Sequence, residues 1–315
     1  TRTFFGTLSA TGSVLGGANM VQVLTDTWQM IEAFGVEKIF LLLMAPVFMV
    51  CMGIEAWYLQ RRRAQTYSVE QVGTNTVLAA SHAAADGLAW ALVIGLFYAL
   101  YEVRLFEIPA TWWSLLLLVV LQDFFYYGFH RASHRIRWMW ASHVTHHSSE
   151  TLNLATALRQ SITYPVSGMW VFWLPLAWIG FKPELVILAV AISLAYQFFV
   201  HTESVKKLPA WFEAVFNTPS HHRVHHARNA QYIDRNYAGV LILWDKWFGT
   251  FTPETETCVY GIVRPIHTRN PLTMMFHEWR DMFADVRRPG PLWQRLKHLW
   301  APPEWRRPDE ATQPQ

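Results

Sequence analysis

Ten histidines in four tight groups constrain this chain more than any other feature. They are His130 and His134 (HxxxH), then His143, His146 and His147 (HxxHH), then His201, then His221, His222, His225 and His226, whose last three repeat HxxHH. Residues i, i+3 and i+4 of a helix share a face, so each group can aim two or three imidazoles at one point. Neutral imidazole is a ligand for zinc, copper, iron and nickel. One metal does not need ten such ligands; two can use them. The fold has to bring four separated segments together.

All four groups lie beside long apolar segments. The chain is 52% hydrophobic and 16% charged, with 17 Trp, whereas a soluble domain carries about 25% charged residues. That balance points to lipid. Apolar runs cover residues 39–54, 77–101, 112–129, 161–180 and 185–200. Several are shorter than the roughly 20 residues of a spanning helix, and aromatic ends seated in the interface make up the difference. The expectation is an all-α integral membrane bundle of about four to five membrane helices, with a cytosolic histidine-rich cap holding a dimetal site. Arg61, Arg62 and Arg63 put the end of the first helix on the cytoplasmic side. Counting forward, every histidine group falls on that side, beside Arg131, Arg135, Arg137, Arg159, Lys206 and Lys207.

The remaining divisions are few. Residues 1–35 read as a mobile N-terminal arm, a fragment of a longer precursor, because residues 1–20 lack the basic start and apolar stretch of a secretory signal. Residues 36–252 form the membrane domain with the dimetal site. Residues 253–300 are cytosolic or interfacial helices, since 276–300 alternate apolar and basic residues as helices on a membrane surface do; packing on the cytosolic part suits them too. The polar, Pro-rich tail 301–315 is expected to be disordered. Cys51 and Cys258 give no disulfide framework and have no metal-ligand neighbour. A net charge of +3 with no basic motif leaves no nucleic-acid partner.

Asp123, Tyr127, His130 and His134 form one stripe of the third helix. An acid inside an apolar helix is by default functional, so Asp123 either holds the outer N–H of a ligating imidazole or contacts a neighbouring helix. His82 and Asp86 read more safely as helix packing than as part of the pocket. Pro219 and Ser220 start a short helix, in which His221 is the odd histidine. Phe124, Phe125, Tyr126, Trp170, Trp173, Phe198 and Phe199 either line a channel or are packing stripes. Structural zinc takes four ligands; a larger all-nitrogen set suits iron in oxygen chemistry or zinc in hydrolysis. The divalent series ranks zinc above iron, so spacing gives two metals and leaves their identity open.

The three motifs, in this order, resemble those of the fatty acid hydroxylase/sterol desaturase superfamily of membrane oxygenases. Within it, residues 123–131, 140–150, 153–160, 201–203, 217–226, 236–240 and 244–250 are similar to the alkylglycerol monooxygenase branch. The resemblance spans residues 75–252. It implies two iron ions that activate O2 and insert one oxygen atom into a C–H bond of a lipid. In that branch the carbon is next to an ether oxygen, and tetrahydrobiopterin supplies electrons. Another reduced donor or an electron-donor protein can take that part, the substrate can be an ether lipid, sterol or fatty acyl chain, and zinc can replace iron in purified protein. By carry-over the ligands are His130, His134, His143, His146, His147, His201, His222, His225 and His226. His221 stays open, and Asp123, Glu150, Glu203 and Asn236 are the residues expected around the ligands. After residue 300 the chain turns polar where the animal ether-lipid enzymes continue with apolar segments, the shape of shorter bacterial relatives. Rivals are sterol desaturase, sterol methyl oxidase or fatty acyl hydroxylase chemistry, and from another class a metal transporter or zinc hydrolase. Transporters place ligands near mid-membrane, unlike histidines at helix ends, and a hydrolase's usual serine or carboxylate is not evident.

Overall fold

A computed structural model describes residues 36–62 and 67–308. The arm expected over 1–35, residue Arg63 and the tail residues 309–315 lie outside the described residues. Lipid offers no partner to a backbone amide, so an apolar run in it must form all its hydrogen bonds internally, as a helix. Three long helices open the bundle: α1 (Val36–Arg61), α2 (Val69–Glu102) and α3 (Trp112–Arg135). Polar caps mark the starts of α2 and α3. Ser68 Oγ accepts from Gln71 N at 3.3 Å ahead of α2, and Thr111 and Ser114 exchange side-chain and backbone hydrogen bonds ahead of α3. Ile136 then breaks the helix in an extended conformation, and α4 (Arg137–His147) leaves in a new direction. The last long helix is α5 (Pro183–Val200).

Four stretches are long and apolar enough to cross a membrane: Leu42–Arg61, Val69–Glu102, Trp112–Arg135 and Pro183–Val200. Their large apolar side chains point outward, Leu42, Leu92 and Leu116 being 69%, 77% and 52% exposed. Exposed apolar surface on that scale marks a membrane contact.

Segment 161–180, expected as a further span, is not one helix. It is broken into Tyr164–Ser167, a 3-10 turn Met169–Trp173 and Leu174–Ile179. Pro165 and Pro175 remove amide donors, and Gly168 turns the chain at φ 85°. The pieces still run the depth of α2. At one end His82 Nδ1 donates to Ser161 O at 3.1 Å. At the other, Leu105 and Phe106 N–H donate to Trp178 O and Ile179 O at 2.8 and 3.1 Å. Gly180 closes that end at φ 130°, where a Cβ would lie 2.1 Å from Phe106 O.

Two further helices complete the histidine end. α6 (Pro219–His226) carries the last motif, and α7 (Pro271–Arg287) lies along α4. Arg137 at the start of α4 donates to Glu278 and Asp285 of α7, both at 2.7 Å, and Trp279 Nε1 donates to Thr163 Oγ1 at 3.0 Å. Met274, Met275, Trp279 and Met282 are buried, while Leu272, Phe276 and Phe283 face outward. The start of the tail expected to be disordered is packed. Ala301 O accepts from Arg137 N at 3.1 Å, and Arg307, 2% exposed, donates to Asp285 O at 2.5 Å and Pro289 O at 2.9 Å. Backbone carbonyls hold it rather than apolar burial, which is why its polar composition misled. Among the described residues there are no strands, only isolated bridges at Phe216–Leu241 and Ala227–Tyr260.

Candidate metal centre

Nine of the ten histidines meet, in two groups. His130, His134, His143, His147 and His225 form one; His146, His201, His222 and His226 form the other. In each group one ring nitrogen per residue lies within 4.8 Å of all the rest. All nine are buried. His221 belongs to neither. Its ring faces Phe251, 5.4 Å away centre to centre, and its Nδ1 has no hydrogen-bond partner.

Carbonyl oxygens set the tautomers. Nδ1 of His130 donates to Tyr237 O at 2.7 Å, His201 to Gln197 O at 2.7 Å, His225 to Arg235 O at 2.9 Å and His146 to Arg159 O at 3.3 Å. A carbonyl only accepts, so each of these rings carries its proton on Nδ1, the Arg159 carbonyl being nearer to His146 than the Gln160 amide at 3.4 Å, and presents a bare Nε2 lone pair. His143 uses a hydroxyl instead, its Nδ1 lying 2.5 Å from Tyr164 Oη.

The bare nitrogens face one another. His146 Nε2 and His201 Nε2 are 3.0 Å apart, both tautomers being fixed from behind. Around them His222 Nε2 is 2.9 Å from His201 Nε2 and His226 Nε2 is 3.0 Å from His222 Nε2. In the other group His143 Nε2 is 3.0 Å from both His130 Nε2 and His147 Nε2, and His225 Nε2 is 3.1 Å from His147 Nε2. His134 Nε2 is buried with no hydrogen-bond partner. Two acceptors cannot hydrogen-bond each other, so the His146–His201 contact makes sense around a shared cation, and the other rings converge on the same points. Nitrogens bound to one ion at about 2.1 Å would lie roughly 3.0 Å apart at a right angle, a spacing close to the 2.9–3.1 Å found here. The donor set fits two metal ions.

Electrostatics agree. Burial, followed by the neighbouring rings, holds His143, His147, His222 and His226 well below the usual imidazole value, and burial alone takes His201 to about 4. The rings are neutral and free to ligate at pH 7.

The residues expected around the ligands fare differently. Asp123 touches no histidine. Its carboxylate accepts from Val240 N at 2.7 Å, Leu241 N at 2.8 Å and Trp244 Nε1 at 2.9 Å, so it clamps a loop. A Cβ on Gly239 would lie 2.7 Å from Asp123 Oδ1, so only glycine allows that approach. Asp245 accepts from Tyr237 N and Ala238 N, both at 2.8 Å. Together the two carboxylates fix the loop whose Tyr237 carbonyl orients His130. Asn236, at φ 55°, bridges His221 O and Thr252 O at 3.1 and 2.8 Å. Glu203 accepts from Tyr260 Oη at 3.1 Å. Glu150 is 60% exposed and lies 3.4 Å from His267 Nδ1. Neither glutamate reaches a ligating ring.

Three side chains that do support the rings were not singled out from sequence. Asp234 lies 3.6 Å from His134 Nδ1 and is hydrogen-bonded to Arg135. Tyr164 backs His143. Glu55, 5% exposed in α1, accepts from Tyr67 Oη at 2.6 Å, Leu154 N at 2.8 Å, Ser204 Oγ at 3.2 Å and Thr202 Oγ1, which follows His201. Glu55 was findable as an acid at the end of an apolar run. Tyr164, inside another such run, gives no signal.

Residues 115–250 match the model of the fatty acid hydroxylase family. The chain is 45% identical over 210 residues to an alkylglycerol monooxygenase of Homo sapiens, covering 64% of this chain and 45% of that one. It is 43% identical over 212 residues to the alkylglycerol monooxygenase of Xenopus tropicalis, covering 66% and 45%. An ornithine lipid hydroxylase of Rhizobium tropici is 27% identical over 146 residues, 45% of this chain and 44% of that one. The chain spans about half the length of the curated relatives it matches. No solved structure matches it.

Proposed function

From the premise that this chain carries a fatty acid hydroxylase domain, we propose that it is an integral membrane di-iron monooxygenase acting on a lipid, an alkylglycerol ether first among them. The observation that carries the metal half of this reading is His146 Nε2 facing His201 Nε2 at 3.0 Å, with both rings protonated on the far nitrogen. The identity to alkylglycerol monooxygenases supports the lipid half.

The nine histidines would hold two irons, which supply activation of O2. The balance is C–H + O2 + two electrons + two protons giving C–OH + H2O. The electrons need a donor, a reduced pterin or an electron-donor protein. On a carbon beside an ether oxygen, the hydroxylated product is a hemiacetal that parts into an aldehyde and a free glycerol hydroxyl.

The chain's own residues then have two tasks. Four backbone carbonyls and the Tyr164 hydroxyl orient rings, so the nitrogens need no reorganisation when the metals bind. Tyr126, Phe129, Tyr164 and Trp173 form a buried aromatic floor, with Tyr126 5.3 Å from the His130 ring and Tyr164 6.1 Å from that of His143. A lipid tail coming from the bundle meets this floor, which excludes water from the nitrogens above it. Arg61 and Arg62 at the end of α1 support placing the centre on the cytoplasmic side.

The test is elemental mass spectrometry of protein purified in detergent without chelators, followed by oxygen consumption with alkylglycerol or ornithine lipid. About two irons per chain and turnover of the ether lipid with aldehyde release are expected. Turnover of the ornithine lipid alone would make the chain a hydroxylase of another lipid class. Protein that binds no metal from iron-replete cells would end the di-metal reading.

A further inference from the structure

A cavity of about 460 Å³ lies behind the nitrogens, between the start of α2, the turn after α4 and the loop around 261–269. Arg159 lines it and is only 6% exposed. Its guanidinium has neutral partners alone. Nε donates to Thr145 O at 3.1 Å and Ser148 Oγ at 3.0 Å, Nη2 to Ser148 Oγ at 2.8 Å and Nη1 to Asn75 Oδ1 at 3.4 Å.

Of the other buried arginines, Arg307 lies outside the cavity and is enclosed by the Asp285 and Pro289 carbonyls and His298, and two are paired with acids. Arg137 holds Glu278 and Asp285, and Arg223 holds Glu254 at 2.7 Å. A buried charge is normally paired, because leaving it without a counter-charge forfeits its hydration for nothing. Burial pushes the Arg159 guanidinium down to about 10, and only the charge of Glu150 opposes that. It stays cationic at neutral pH.

The cavity's own acids make no hydrogen bond to this guanidinium. Glu70 is paired with Arg269 at 2.8 Å, and Glu150, 60% exposed and 3.4 Å from His267 Nδ1, acts on Arg159 only through its charge. Arg228 lines the same cavity and makes no ion pair among the described residues. His267 holds φ at 33°, a conformation L residues rarely keep without a local reason.

We propose that this cavity binds a small oxyanion, a phosphate or carboxylate, on Arg159 and Arg228. The planar fork of a guanidinium matches two oxygens of either group. The site abuts the metal centre without being part of it. The Arg159 carbonyl orients His146, and its guanidinium holds Ser148, the residue after His147. An occupant therefore rests against the backs of both nitrogen groups. The inference stands whether or not the proposed oxygenation is right.

The experiment is calorimetric titration of the full chain in uncharged detergent, at constant chloride, with inorganic phosphate. Dihexanoyl phosphatidic acid, with dihexanoylglycerol as its uncharged control, separates a free anion from a lipid headgroup. Saturable binding of either phosphate-bearing probe is expected, weakened roughly tenfold or more by Arg159→Gln and several-fold by Arg228→Gln. Binding of the phospholipid but not of free phosphate assigns the oxyanion to a headgroup. If Arg159→Gln loses its helical circular dichroism, Arg228→Gln and Arg228→Glu decide, since Arg228 is exposed. No saturable binding of either probe, or binding indifferent to the folded variants, would overturn the proposal.

Discussion

The two nitrogen groups are built from the same motifs yet are held in different ways. The five-nitrogen group rests on α3, a long membrane helix, and adds side chains to the Tyr237 and Arg235 carbonyls: Tyr164 behind His143 and Asp234 near His134. The four-nitrogen group takes His201 from the residue just past α5 and leans on carbonyls, with Glu55 of α1 tying Thr202 in place. Each HxxHH motif feeds both. A helix turns 100° per residue, so i and i+4 differ by 40° while i+3 stands 60° to the other side. His143 and His147 thus serve the five-nitrogen group and send His146 across; His222 and His226 serve the four-nitrogen group and send His225 back. The groups are coupled through this exchange, and the smaller has less to lose.

The largest effect should come from the smaller group. His222→Ala leaves three nitrogens, and its metal should be lost, with activity falling by more than the 10–100-fold typical of a partner behind a ligand. His134→Ala leaves four nitrogens and should retain more metal. Elemental analysis of both variants checks this, and equal losses would erase the contrast.

Next comes Glu55→Gln. A buried carboxylate with four donors loses charge-assisted hydrogen bonds, at a cost of about 2–3 kcal/mol, and its metal deficit should fall on the four-nitrogen side. Thermal melts with and without chelator would show the loss; an unchanged melting curve contradicts the strut. Tyr164→Phe should instead weaken the five-nitrogen metal, about tenfold in affinity, with kcat falling further than KM rises.

Acid separates the metal-free protein from its loaded form. The buried rings titrate below the unfolded value near 6.5, His201 at about 4. Between those values the unfolded chain binds more protons than the folded one, so stability is lost as pH falls from 6.5 toward 4. Melting temperatures of chelated protein at pH 7 and 5 test the sign. The smallest effect belongs to His221→Gln, which should leave metal content unchanged and shift stability by about 1 kcal/mol or less.

Much of this was readable in the chain because chemistry at fixed spacing survives folding. The HxxxH and HxxHH positions reach one place, and four apolar runs are helices long enough to cross a membrane. What escaped depends on contacts between distant segments. Hydropathy merged 161–180 into one span although Pro165, Gly168 and Pro175 break it. Asp123 sits on the ligand stripe, yet its partners lie more than a hundred residues away at Val240, Leu241 and Trp244. The carbonyls that set the tautomers leave no mark in sequence, since every residue has one.

α4 has 11 residues and α6 has 8, lengths at which an isolated helix is marginal in water. Their histidines meet nitrogen to nitrogen, as His147 and His225 do at 3.1 Å, contacts that a shared ion would strengthen. Metal bound at the proposed centre would therefore favour the assembled form of this end of the molecule. In a cell starved of the ion the membrane helices would form as before while this end is held less firmly, and the abundance of the protein would report metal supply before any reaction begins.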